Sequence, residues 1–227
     1  MAYDKDAFVK TILNNGSVPA YYLVPSDFVK GPDGKDFREA NGDMNVTNKD
    51  EAKKLWEQGL KEIGESKVEL ELLNYDGDSA KKTGEYIKEQ LETTLPGLTV
   101  GLKQQPFKQK LELESKGDYD FSYAGWGPDY QDPMTFIDMF VTDGAHNQMG
   151  YSNPEYDKLV EEAGSTLLSD LPARWEALQK AEKILIEEDA AISPLYQRGL
   201  SFLTNDKVKN LYNHAFGGDY SYKWVSI

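Results

Sequence analysis

Cysteine is absent from the chain, which excludes disulfides, thiolate metal sites and cysteine nucleophiles. It leaves the redox compartment open, since cysteine-free chains occur on either side of a membrane. Histidine is scarce: His146 and His214 are the only two in 227 residues, and no Ser-His-Asp order stands out. Basic residues are in deficit, 25 against 39 acids, and the net charge of −14 opposes nucleic-acid phosphates and anionic headgroups. No nucleic-acid partner is expected. No run approaches the roughly 18 apolar residues that span a bilayer. The start, Met1 to Asp6, has neither the basic opening nor the apolar middle of a signal peptide. These absences leave an intracellular protein or a piece of a longer exported chain. What is present, 39% hydrophobic and 12% aromatic residues, suffices for a core, and the length suits one large domain or one and a half.

Asp4 to Leu13 spaces Phe8, Ile12 and Leu13 like a helix stopped at Asn14-Asn15-Gly16. Gly16 to Asn48, with three prolines and a Pro32-Asp33-Gly34 turn, reads as irregular chain held down by Tyr21, Tyr22, Phe28 and Phe37. Beyond Asn48, Ala52, Leu55, Trp56, Leu60 and Ile63 share a helical face closed by Gly64. The period then changes to two. Val68, Leu70 and Leu72 alternate with glutamates as a strand with one covered face. A helix with Ile87, Leu91 and Leu95, a strand with Leu98, Val100 and Leu102, a helix with Phe107, Leu111 and Leu113, and a strand with Tyr119, Phe121 and Tyr123 follow. This βαβαβ order predicts parallel strands with right-handed crossovers, whose ligands bind beyond the carboxyl ends. Gly125 to Tyr130 sits at such an end. Asp132-Pro133, Asn153-Pro154 and Asp170 then open three helices, Ile192–Tyr196 and Leu200–Leu203 read as strands, and the tail from Asn205 is rich in Gly, Tyr and Asn.

Gly125 and Gly127 flank Trp126, so a ligand backbone can approach while the indole forms a wall. Asp129, stiffened by Pro128, suits a free α-ammonium, a group with a pKa of about 7.7 to 8.0. The plainer reading makes Asp129 and Asp132 helix caps and Trp126 a core residue; for Asp132 it is the favoured one. A glycosidase pair of Asp129 and Asp132 is a remote alternative, because any chain this acidic offers such pairs. Asp76-Gly77-Asp78 matches part of a calcium loop but lacks its third aspartate and terminal glutamate, so it reads as a turn that caps a helix. His146 and His214 read as surface or packed residues, and the aromatic tail around Tyr220, Tyr222 and Trp224 as a packing element.

The stretch Phe-Ser-Tyr-Ala-Gly-Trp-Gly-Pro-Asp-Tyr-Gln-Asp-Pro-Met-Thr-Phe, Phe121 to Phe136, resembles the Trp-x-x-Asp-Tyr-x-Asp/Glu-Pro segment of the oligopeptide- and dipeptide-binding proteins of ABC importers, the extracellular solute-binding proteins of family 5. Tyr151 to Leu159 resembles the family's Tyr-x-Asn-Pro-x-Phe/Tyr-Asp helix opening, and Arg174 to Tyr196 its late helix leading to a Pro-Leu/Val-Tyr strand. Tyr3 to Lys10 is similar to the Asp-Arg-x-x-Phe/Ile-Val element that begins the C-terminal lobe, with Lys5 where Arg is usual; Pro128 stands where Ala is usual. The resemblance spans nearly the whole chain in order.

It implies an α/β lobe of periplasmic-binding-protein type II, with a βαβαβ core and flanking helices. Residues 1–200 would form the C-terminal lobe. Residues 201–227 would be a terminal strand and tail returning to an N-terminal lobe outside this chain, as would the signal or lipoprotein anchor. Asp129 would hold a ligand ammonium and Trp126 line a side-chain pocket, with Gly127 and Tyr130 beside them. The whole protein would be extracellular, attached to the cell membrane as a lipoprotein, or periplasmic in a double-membrane bacterium. It would capture oligopeptides for ABC importer permease subunits, with no cofactor, no metal and no catalysis. Relatives carry dipeptides, signalling peptides, nickel or haem chelates or sugars, and an ammonium partner at Asp129 disfavours sugars and simple chelates.

Overall fold

In the computed structural model, which describes Met1 to Ile227, three parallel strands form the centre of one half of the molecule. They are β2 (Val68–Tyr75), β3 (Leu98–Gln105) and β4 (Phe121–Ser122), in the order β3-β2-β4. Leu72 lies opposite Leu102 on one side and Phe121 on the other. With the first strand central, the connecting helices α4 (Asp78–Thr94) and α5 (Phe107–Lys116) cross in opposite directions. Right-handed crossovers then set them on opposite faces of the sheet. Leu72, Leu98 and Val100 pack on the α4 side with Ile87, Leu95 and Ala52 of α3 (Lys49–Ile63). The other face is more polar and carries a Lys103–Glu71 ion pair at 3.0 Å. Because β2 is flanked and covered on both faces, Leu72, Leu73 and Asn74 are all buried, where alternation predicts a single covered face. Gly97 needs its missing side chain: φ is +83° and a Cβ would meet the Ser66 carbonyl oxygen at 2.5 Å.

Helix α5 inverts the usual pattern. Lys110 and Glu114 face inward, while Phe107 and Leu111 are 64% and 39% exposed. Glu114 pairs with Lys110 and accepts a hydrogen bond from Ser122 Oγ at 2.5 Å, and the ammonium lies 4.4 Å from the Tyr75 ring centroid. On α3, Gly64 ends the helix in the left-handed conformation as expected, but Leu55 and Ile63 stay exposed and Ala52 alone is buried.

The other half is helical: α6 (Met134–Ile137) with a 3-10 turn over Asp138–Phe140, α7 (Pro154–Gly164), and α8 (Leu171–Lys183) continued by a π-helical segment, Ile184–Glu188. Asn153 and Asp170 cap α7 and α8 with their side-chain oxygens. Phe136, Ile137, Tyr156, Val160, Leu178, Ala181 and Leu185 form one core with Val24, Val29 and Phe37. Thus the irregular segment before Asn48 is partly interior, and its buried N–H groups need acceptors. Glu182 supplies them: Oε1 accepts from Leu23 N at 3.0 Å and Val24 N at 2.8 Å. Its other oxygen meets buried Arg38 and, at 3.3 Å, Asn41 Nδ2. A capping box at Asp36 and Glu39 opens a short helix, α2 (Phe37–Asn41), which apolar spacing did not reveal. Phe37 and Tyr22 are buried, Tyr21 and Phe28 half-buried.

At the start, α1 (Lys5–Ala7, passing into a π-helical run over Phe8–Leu13) is capped by Asp4 and stopped by left-handed Asn14. Lys5 is buried, donates to the Ala20 carbonyl at 3.0 Å and lies 4.5 Å from the Tyr21 ring centroid. Burial, only partly opposed by Asp43, pushes its ammonium down to about 8. Strand β1 (Val18–Pro19) pairs antiparallel with β5 (Tyr196–Gln197). The longer strand expected at Ile192–Tyr196 shrinks to this pair, since Pro194 has no N–H to donate. Leu200–Leu203 forms no strand; Leu203 is fully exposed, and Ser201 touches the chain beside it only through its side chain, whose Oγ donates to Asn15 O at 3.3 Å. The tail folds into a small hairpin of β6 (Tyr212–Asn213) and β7 (Tyr220–Ser221). No helix is long and apolar enough to cross a membrane.

Candidate functional site

Strand β4 delivers the chain to the carboxyl edge of the sheet, where Tyr123 N still donates to Leu73 O at 3.0 Å and its hydroxyl meets that of Tyr196 at 2.9 Å. From Ala124 to Gly127 the backbone makes no regular structure and is exposed. A Cβ at Gly125 or Gly127 would meet nothing, and neither has a positive φ. The chain's own packing therefore does not require these glycines, and the space beside them opens outward. Trp126 is 37% exposed, so it is not a core residue; its ring meets His146 at 4.7 Å, with planes at 60°. Pro128 O accepts from Gly217 N of the tail hairpin at 3.3 Å.

The two aspartates of this loop differ sharply. Asp132 Oδ1 accepts from Met134 N at 2.9 Å, opening α6, and both its oxygens are taken by Arg174 at 2.8 and 2.9 Å. Arg174 Nε donates in turn to Ala163 O at 2.9 Å, so the pair ties the loop to α7 and α8. Bidentate geometry makes this a strong, oriented contact. Asp132 is structural, and it carries more than the expected cap. Asp129 has its backbone N–H fixed by Thr135 Oγ1 at 3.0 Å, while its exposed carboxylate has no partner in the protein. The capping reading therefore fails for Asp129.

Tyr130, 45% exposed, stands beside Asp129 in the same loop. Partial burial raises its hydroxyl pKa, and the charges of Asp138, Asp132 and Asp129 push it the same way. Asp138, on the turn after α6, is raised first by desolvation; the nearby His146 and the Tyr130 hydroxyl oppose that shift, while Asp129 and Asp132 add to it. Asp138 and His146 thus complete a corner that the sequence did not disclose, because no local spacing links either residue to Trp126. His214 instead meets Ser221 Oγ at 2.7 Å within the hairpin. At the neighbouring edge, Asp76-Gly77-Asp78 is a turn with Gly77 at the helix cap and Asp78 in the first turn of α4; Gly77 has no side chain to bond there.

A family model described as bacterial extracellular solute-binding proteins, family 5 (middle), matches residues 1–148. Among curated relatives, a dipeptide-binding protein of Bacillus subtilis, DppE, is 36% identical over 218 residues, 96% of this chain and 39% of the relative. Among solved structures, the substrate-binding domain of an oligopeptide ABC transporter from Bacillus anthracis is 49% identical with a TM-score of 0.95, over 100% of this chain and 44% of that one. Listeria monocytogenes OppA bound to peptide is 47% identical with a TM-score of 0.90, over 99% and 42%. The chain spans about two fifths of the length of such relatives.

Proposed function

Because the chain belongs to the bacterial extracellular solute-binding proteins of family 5 and has their type II α/β fold, we propose that it forms one side of the peptide-binding cleft of a longer protein. Residues 1–200 act as the C-terminal lobe, and 201–227 lead back to the other lobe. Asp129 holds the α-ammonium of an oligopeptide, Trp126 walls the first side-chain pocket, and Gly127 and Tyr130 line the approach. The single observation that carries this reading is the free Asp129 carboxylate at the strand edge, beside an Asp132 fully engaged by Arg174. Main-chain hydrogen bonds to an extended peptide give affinity that is blind to sequence. The whole protein, extracellular and lipid-anchored or periplasmic, hands the peptide to ABC permease subunits and carries out no catalysis. Against a glycosidase, Asp132 has no free oxygen with which to act as acid or nucleophile. A second reading keeps the fold and shortens the ligand to a dipeptide, favoured by the likeness to DppE.

The test compares an alanine oligopeptide with its N-acetylated form, by calorimetry on the full-length protein. Acetylation, or Asp129→Asn, should weaken binding roughly ten- to hundredfold, as loss of one charged hydrogen-bond partner does. Equal affinity for both peptides would remove the role of Asp129.

A further inference from the structure

The segment from Val141 to Tyr151 contains no helix or strand, yet hydrogen bonds fix it at its start, across its middle and from the sheet. Thr142 anchors the start: its N and Oγ1 donate to the two carboxylate oxygens of Asp157 on α7, at 2.8 and 2.5 Å. Asn147 ties the loop across. Its Nδ2 lies 2.9 Å from Val141 O, 2.7 Å from Tyr151 O and 3.3 Å from Phe140 O, so two amide hydrogens serve three carbonyls. Its Oδ1 accepts from Tyr151 N at 3.2 Å. Gly144 turns so tightly that a Cβ there would meet Val141 O at 2.9 Å. From the sheet side, the Tyr119 hydroxyl donates to Gln148 O at 3.0 Å. A loop bonded in this way keeps its shape without a core of its own. At its tip stands His146, exposed, whose ring meets the Trp126 indole at 4.7 Å between centroids with planes at 60°. Gly125 and Gly127 bring no side chain to either flank of the indole, so the imidazole is its aromatic support.

We propose that His146, held in place by Asn147, sets the size of the first peptide side chain that the site accepts: the imidazole limits how far the indole can swing, and so fixes the room beside it. This inference rests on the assignment of Asp129 to the ammonium and of Trp126 to the first side-chain pocket. His146 acts through the indole and Asn147 acts through His146, which makes both positioning residues. The action is one of ring contact and shape. An edge-to-face ring pair is strong enough to hold an indole at one angle, and its loss corresponds to roughly a two- to tenfold change in a binding constant. With the imidazole removed, the space it filled becomes available to an aromatic first side chain, either directly or by movement of the indole.

The experiment titrates di-, tri- and tetra-alanine, each beside its counterpart with Phe in first position, into the full-length protein. Wild type is compared with His146→Ala, His146→Phe, Asn147→Ala and Trp126→Ala. The readout is the ratio of the Phe-first to the Ala-first affinity, which a general loss of stability or affinity does not move. His146→Ala should raise this ratio roughly three- to tenfold. His146→Phe keeps a ring against the indole and should stay within about twofold of wild type. Asn147→Ala should move the ratio in the same direction as His146→Ala with the imidazole still present; an unmoved ratio would overturn the part given to Asn147. If His146→Ala leaves the ratio at its wild-type value or lowers it, while Trp126→Ala changes it, the inference alone is overturned. The same follows if His146→Phe shifts the ratio as far as His146→Ala does. If Trp126→Ala leaves the ratio unchanged, or wild type binds none of the peptides, the pocket reading falls and the inference with it.

Discussion

Helices α4 and α5 are the two crossovers of one sheet, yet they meet it with opposite chemistry. On α4, Ile87 lies against Leu72, Leu98 and Val100, an apolar contact that any side chain of similar volume can restore. On α5, Lys110 and Glu114 are turned inward, with Ser122 and the Tyr75 ring completing their surroundings. An apolar contact tolerates small rotations of a helix, whereas a buried charge pair is sound only when both partners and their hydrogen bonds are in place. The sheet thus has a dry, forgiving face and a polar face that fixes one orientation of its helix.

Glu114→Ala should be the most damaging change, because it leaves the Lys110 charge buried alone; a loss of about 4 kcal/mol in denaturant unfolding is expected. Ile87→Ala should cost about 3 kcal/mol. The double change Lys110→Met with Glu114→Leu should recover most of the Glu114→Ala loss. The contrast breaks if Glu114→Ala proves milder than Ile87→Ala.

A second buried lysine sharpens the point, since Lys5 has a neutral carbonyl where Lys110 has a carboxylate. Its ammonium is lowered to about 8 from 10.5, mainly by burial. The unfolded chain therefore binds more protons than the native one between those values, and stability should rise with pH across that window. From pH 8 to 9.5 the Lys5 share of this gain is about 1.5 kcal/mol. Burial lowers Lys110 too and adds in the same direction, so Lys5→Met should remove only its own share of the rise. Nine tyrosines, Tyr3 and Tyr21 among them, are raised above 10.0 and act with the opposite sign as the pH nears 10. A wild-type profile from pH 8 to 9.5 that parallels that of Lys5→Met would show that the Lys5 pocket is wet. The smallest effect is expected on the outer side of α5, where Phe107 is exposed and stacks on the Tyr75 ring; Phe107→Ser should cost about 1 kcal/mol or less. A loss well above 1 kcal/mol would mean that this face is covered in solution.

The parts of the molecule legible in the sequence were those governed by neighbours along the chain. Asn153 and Asp170 open α7 and α8 as their oxygens predict, and Gly64 ends α3. The alternation of Leu70 and Leu72, then of Leu98 and Val100, gave the parallel pair in order. What escaped depends on partners far along the chain. Phe107 and Leu111 mark α5 by spacing, but only the polar sheet face explains why they point outward. The Asp36–Glu39 capping box is a local signal, but no apolar periodicity follows it to mark a helix. In the site, Trp126, Asp129 and Tyr130 are close in sequence and share one loop; Asp138 and His146 arrive by way of α6 and the turn after it.

The Glu182 carboxylate sets a timetable for making the chain. It lies 159 and 158 positions beyond the N–H groups of Leu23 and Val24 that it satisfies. A ribosome adds about 5 to 20 residues per second, so those groups emerge roughly ten to thirty seconds before their acceptor exists. Until then the segment can bond only to water or to a transient companion. Although it is made long before Glu182, the segment is therefore among the last parts of this lobe to find its place.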